Sequence, residues 1–140
     1  MKFISKSPEE TIGIGERLAK RLKKGDVVAL FGDFGSGKTV LTKGIAKGLG
    51  LKDTRYVNSP SFVIIKEHRG RVPLYHFDLY RLDRPHSLDS VGYDEYFYGD
   101  GVTVIEWAER VKKELPPKHI EVRLAVMSDS KRKIEIRKKI

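Results

Sequence analysis

One stretch constrains this chain more than any other. Val27-Val28-Ala29-Leu30-Phe31 is an apolar run of the kind that forms a buried strand. It breaks into Gly32-Asp33-Phe34-Gly35-Ser36-Gly37 and then enters Lys38-Thr39 and a helical pattern. Gly32, Gly37, Lys38 and Thr39 fit G-x-x-x-x-G-K-[ST], the pattern of a loop that wraps phosphate. Such a loop turns its N–H groups inward, and side chains there would block close approach. The next helix adds unpaired amides and the positive end of its dipole. In this pattern Phe34, Gly35, Ser36, Gly37, Lys38 and Thr39 line the phosphates. The Lys38 ammonium reaches the β- and γ-phosphates, and the Thr39 hydroxyl takes Mg²⁺. A glycine-rich strand–helix turn without a ligand is the plainer alternative, and the strand before and helix after favour the phosphate loop.

The 140 residues suffice for one domain, and no repeat or linker divides residues 1–140. The absence of cysteine excludes a disulfide framework and a thiolate metal site. No signal-peptide pattern or bilayer-length apolar run is present, so a soluble cytoplasmic protein is expected. The net charge is +9, and the last ten residues carry six Lys or Arg against Glu135 alone. That basic end suits RNA or an acidic partner, or the solvated face of an edge strand guarded by lysines. Alternation of Lys133, Glu135 and Arg137 with Ile134 and Ile136 favours the strand.

In chain order, Phe3 and Ile4 suggest a short strand. Ser7 caps a helix that begins at Pro8, carries Ile12, Leu18 and Leu22, and runs to about residue 24 before Gly25. Gly13 and Gly15 weaken it or admit a close neighbour. A second helix spans Thr39 to Leu49. Phe62 to Glu67 and Val72 to Leu79 read as strands joined by a turn over 68–71, so the sheet is mixed. Short helices are expected in the aromatic stretch that includes Leu88, Val91, Tyr93, Tyr96, Phe97 and Tyr98. Val102 to Ile105 is a buried strand followed by a short helix, and Ile120 to Met127 with Lys133 to Lys139 form a terminal hairpin.

A phosphate loop needs an acid on a neighbouring strand to help hold Mg²⁺. Asp78 ends Tyr75-His76-Phe77-Asp78, and Glu106 ends Val102-Thr103-Val104-Ile105-Glu106. Ligands of open α/β sheets bind beyond the carboxyl ends of parallel strands, so both are candidates for metal or water. A surface or helix-capping acid is the alternative for each. Ser59-Pro60-Ser61 offers hydroxyls where a segment sensing the γ-phosphate sits, or is an ordinary turn. Trp107 is a core anchor or flanks the nucleotide. His76 and His86 read as packed, hydrogen-bonded histidines.

Together, Gly32 to Thr39, Asn58-Ser59-Pro60-Ser61-Phe62, His76-Phe77-Asp78-Leu79-Tyr80-Arg81-Leu82 and Glu106-Trp107 resemble the TsaE (YjeE) family in order and spacing. The likeness implies a single-domain P-loop NTPase with a mixed, mostly parallel α/β sheet flanked by helices and a C-terminal β-hairpin. It implies binding of ATP or ADP with Mg²⁺ and slow, partner-stimulated ATP hydrolysis. The family serves threonylcarbamoyladenosine (t6A) formation at adenosine 37 of tRNAs that read codons starting with A. Its partners are TsaD and TsaB, with tRNA contacted through the complex and no membrane involved. By resemblance, Lys38 and Thr39 bind phosphate and metal, Asp78 is the Walker B acid and Glu106 approaches the metal. Ser61 matches the threonine of the family's Ser-Pro-Thr switch and lacks its methyl. The family's base contacts point to Pro8–Thr11, hence Thr11, and to Ser130–Arg132, hence Arg132. No residue stands out as an arginine finger. A small-molecule kinase would need a lid that this length hardly provides. A non-enzymatic RNA-binding module would bind tRNA without ATP.

Overall fold

The computed structural model describes residues 1–54, 57, 65–80 and 92–139. Seven strands form one sheet: β1 (Lys2–Ser5), β2 (Val27–Phe31), β3 (Ile65–Arg69), β4 (Pro73–Asp78), β5 (Val102–Glu106), β6 (His119–Val126) and β7 (Arg132–Lys139). Their order across the sheet is β1-β7-β6-β2-β5-β4-β3. The four central strands β6, β2, β5 and β4 are mutually parallel. The antiparallel pairs are β3–β4, β6–β7 and β1–β7. Strands β3 and β7 therefore run against the other five, and the sheet is mixed but mostly parallel. The hairpin β6–β7 closes the chain as its alternation predicts.

Strand β2 is buried along its whole length because both faces are covered, which is why it reads as an unbroken apolar run. Val28 and Leu30 pack with Ile14, Leu18, Leu41, Ile45, Val104 and Val122 on one side. Val27, Ala29 and Phe31 pack with Phe77, Phe97, Ile105 and Val111 on the other. The first side is covered by helices α1 (Pro8–Ala19) and α2 (Lys38–Gly48). Among the described residues, the second is covered by the short α3 (Tyr93–Phe97) and the 3₁₀ turn Ala108–Val111.

Ser7 caps α1 by accepting the Glu10 N–H, and Pro8 opens it, as its sequence requires. The helix is shorter than expected. After Ala19 the chain tightens, with Arg21 N–H donating to Leu18 O and Leu22 N–H to Ala19 O. These three-residue bonds still bury Leu22, so the apolar stripe continues after the α-helix has stopped. Gly15 admits a close neighbour. A Cβ there would lie 2.6 Å from Leu41 O and 2.8 Å from Ile45 N of α2. Gly44 answers from α2, where a Cβ would meet Ile12 O at 2.2 Å. The two helices thus touch backbone to backbone.

The basic last strand is not an edge. β1 pairs antiparallel with β7 along Lys2↔Glu135 to Ser5↔Arg132, leaving β1 at the rim. Lys133, Arg137 and Lys139 share one face of β7, where Lys133 and Arg137 pair with Glu135 and Lys139 with Glu121. On the other face Ile134 and Ile136 join the core.

Candidate functional site at the Gly32–Thr39 loop

Three adjacent parallel strands bring the site together. Leu30 of β2 pairs with Glu106 of β5, and Glu106 pairs with Asp78 of β4. Both carboxylates therefore sit at the same end of the sheet as the Gly32–Thr39 loop. That is the carboxyl end, where open α/β sheets bind their ligands.

The loop is shaped by its glycines at two positions. Gly37 is the N-cap of α2 at φ +102°, and Gly35 has φ +74°, both in the left-handed region open to glycine. At the root of the loop, a Cβ on Gly32 would meet Leu124 O and Ser36 Oγ at 2.6 Å each. Ser36 is buried, its N–H donates to Asp33 O at 3.2 Å, and its Oγ has no hydrogen-bond partner among the described residues. A polar atom left unpaired in a glycine cradle is what an absent oxygen-rich ligand would satisfy.

Lys38 is only 5% exposed. Its ammonium donates to Gly32 O and, at 2.9 Å, to Asp33 O, folding back over its own loop. It also lies 3.9 Å from the centre of the Trp107 ring, a cation–π contact. Burial pushes the Lys38 pKa below its usual value. The carboxylates of Glu109, Glu106, Asp78 and Asp33 pull the other way. Thr39 Oγ1 donates to Glu106 Oε1 at 2.8 Å. Glu106 Oε2 meets Nε2 of the fully buried His76 at 2.5 Å, so one carboxylate is held from both sides. His76 is the packed, hydrogen-bonded histidine its apolar strand implies. Asp78 Oδ1 accepts the Tyr80 N–H at 3.0 Å. Thr39, Asp78 and Glu106 form an all-oxygen donor set of the kind a hard divalent cation takes. Among the described residues, no group of three or more His, Cys, Asp or Glu side chains is arranged to hold a metal by itself.

Phe34 is 65% exposed and stands edge-on to Tyr80 and Trp107, with ring centroids 4.5 and 5.0 Å away. Trp107 is therefore no simple core anchor. It lies at the mouth of the loop, with φ +62°, the one described non-glycine residue in the left-handed region. Arg132 reaches the loop from the β6–β7 hairpin. Its Nε donates to Gly35 O at 2.9 Å, while one Nη holds the carbonyls of Ser128, Asp129 and Lys131. Thr11 lies near Gly37, 3.9 Å from where a Cβ would stand. Its hydroxyl is engaged with Ser5 Oγ at 2.7 Å; Ser5 donates onward to Ser7 O, so Thr11 is the donor. Ser61 lies outside the described residues, as do His86 and most of the Ser59-Pro60-Ser61 neighbourhood.

The sequence reading missed Glu109. Its Oε2 accepts the Gly32 N–H at 2.9 Å, from the 3₁₀ turn directly after β5. The available signal was spacing. Glu109 follows Glu106 by three residues, so one helical turn returns it to the same side of the chain.

A mixed, mostly parallel sheet with a glycine-rich corner between β2 and α2, flanked by acids at the ends of β4 and β5, defines a single-domain α/β protein. A family model described as "Threonylcarbamoyl adenosine biosynthesis protein TsaE" matches residues 5–134. The chain belongs to the TsaE family. It is 44% identical over 135 residues to the tRNA threonylcarbamoyladenosine biosynthesis protein TsaE of Bacillus subtilis, covering 96% of this chain and 83% of the relative. It is 39% identical over 136 residues to the protein so named from Treponema pallidum, covering 97% and 99%. The crystal structure of Bacillus subtilis YdiB superposes with a TM-score of 0.82 at 38% identity, over 100% of this chain and 85% of that one. Family membership places the chain in tRNA threonylcarbamoyladenosine biosynthesis. No helix among the described residues is long and apolar enough to cross a membrane.

Proposed function

We propose that this protein is a cytoplasmic ATPase that binds ATP with Mg²⁺ at the Gly32–Thr39 loop and hydrolyses it slowly. In this reading it acts with TsaD and TsaB in forming t6A at adenosine 37 of tRNAs reading codons that begin with A, and meets tRNA through that complex. The observation that carries it is the Thr39–Glu106 contact at 2.8 Å, with Asp78 as the cross-strand neighbour of Glu106. A hydroxyl at the head of α2 and two acids from adjacent strands converge beside a buried lysine.

Phosphoryl transfer asks mainly for positioning and charge neutralisation. On arrival of a triphosphate, Lys38 exchanges the carbonyls of Gly32 and Asp33 for phosphate oxygens. The loop amides and the Ser36 hydroxyl donate to the phosphates. Glu106 fixes the Thr39 hydroxyl, and Asp78 and Glu106 orient water. Mg²⁺, when bound by Thr39, Asp78 and Glu106, supplies further positive charge against the phosphates. Thr11 and Arg132 flank the loop on the sides where base contacts are expected, and Ser61 is retained as the γ-phosphate sensor. The Arg132 guanidinium that reaches the loop is engaged with the carbonyls of Gly35, Ser128, Asp129 and Lys131 rather than with the phosphate site, so turnover stays slow until a partner completes the site.

The test is phosphate release from ATP by the purified protein, alone and with TsaD and TsaB. Stimulation by the partners and loss of activity in Lys38→Ala are expected. Full ATPase in Lys38→Ala, or no effect of the partners, refutes the reading.

A further inference from the structure

We propose that Glu109 is a positioning residue of the Gly32–Thr39 loop, its carboxylate holding the loop's first amide so that the loop keeps the curl that receives phosphate. The inference rests on the proposed nucleotide binding at this loop.

Gly32 lies just past the sheet. The last β2 pairings are Leu30↔Glu106 on one side and Phe31↔Arg123 on the other. The Gly32 N–H therefore finds no further rung, and a backbone donor so placed needs another acceptor. Glu109 Oε2 supplies it at 2.9 Å across 77 residues of chain. The acceptor is a side-chain carboxyl oxygen in place of a strand carbonyl. Its position matters because everything downstream pivots on Gly32. The carbonyl of Gly32 accepts from Lys38, and the space around its Cα is closed by Leu124 O and Ser36 Oγ.

The backbone aims Glu109 at this point. Trp107 takes the left-handed conformation directly after β5, and the 3₁₀ turn that follows is closed by Arg110 N–H donating to Trp107 O at 3.1 Å. Four consecutive residues thus grip the loop at three places. Glu106 holds Thr39, the Trp107 ring lies under Lys38, and Glu109 holds Gly32. Of the four carboxylates acting on Lys38, Glu109 acts most strongly. Its side chain is exposed and fills no core space, so removing it tests the loop and spares the packing.

The experiment titrates the full chain with a fluorescent ADP analogue and Mg²⁺, and measures ATP turnover, for wild type, Glu109→Ala and Glu109→Gln. The Gln amide oxygen still accepts the Gly32 N–H and the Ala methyl does not. Glu109→Ala is expected to bind about tenfold more weakly, and to raise KM for ATP more than it lowers kcat. Glu109→Gln is expected to recover binding to within about threefold of wild type. Amide exchange of the peptide containing Gly32 should quicken in Glu109→Ala alone. Equal or tighter binding by Glu109→Ala overturns the inference and makes Glu109 a competitor of phosphate. Equal weakening in both variants also overturns it, because charge and not the hydrogen bond would then matter. A wild-type chain that neither binds the analogue nor hydrolyses ATP refutes the proposed function instead.

Discussion

Asp78 and Glu106 are cross-strand partners on the last rung of the β4–β5 ladder, and among the described residues only Glu106 is held from both sides by side chains, Thr39 and His76. The two acids are therefore unequal. Glu106 is buried and fixed. Asp78 is steadied by a backbone N–H two residues on.

This inequality predicts the outcome of substitution. Glu106→Ala strands the buried His76, removes the carboxylate that accepts from Thr39, and should destabilise the fold by about 2–4 kcal/mol. Glu106→Gln keeps most of that stability. In the proposed reading it lowers ATP turnover by about 100-fold. Urea unfolding and phosphate release measure the two effects separately.

The α1–α2 contact predicts opposite signs at neighbouring glycines. Gly15→Ala forces a methyl to within 2.6 Å of Leu41 O and should cost about 2–4 kcal/mol. Gly13→Ala meets nothing within 4 Å and should stabilise α1 by about 0.5–1 kcal/mol. Thermal unfolding of the two variants checks the pair.

Trp107 is the chain's single tryptophan, and the Lys38 ammonium lies on its ring. If nucleotide draws Lys38 away, as proposed, tryptophan emission should shift on adding ADP with Mg²⁺. Lys38→Ala should show an altered starting spectrum and no response. An unchanged wild-type spectrum under saturating nucleotide would contradict the lysine's movement.

His68 sets a pH dependence. Burial lowers its pKa below the usual value of about 6.5, with His76 and Lys66 adding to the effect. Its ring centroid is 6.5 Å from that of His76, and its Nε2 has no hydrogen-bond partner among the described residues. The unfolded chain thus binds a proton more readily than the folded one. The contribution of His68 is full above about pH 6.5 and is lost as pH falls from there through the lower folded value. The urea midpoint should drop between about pH 7.5 and pH 5.5, and His68→Gln should flatten that drop.

The central strands and the loop were legible in the sequence because their signals are local. Val27–Phe31 announces a doubly buried strand, and Gly32–Thr39 a strand–helix corner. Asp78 and Glu106 were legible because each ends an apolar run. What escaped depended on contacts between distant residues. Glu109 looks like any acid of a helical turn until the left-handed Trp107 swings it onto Gly32, and no periodicity encodes that swing. β7 read as an edge strand because its charges suit one, and only the pairing of Lys2–Ser5 with Arg132–Glu135 shows that it is flanked on both sides. The end of α1 was misjudged because Leu22 stays buried through a tighter turn.

That same pairing governs the order of assembly. Residues 2–5 are made before residues 132–135, which are their neighbours in the sheet among the described residues. The first strand must therefore wait, unpaired, until residues 132–135 have emerged. A topology closed by segments so far apart in sequence folds slowly. Thr11, just behind that waiting strand and beside Gly37, would gain its final surroundings last.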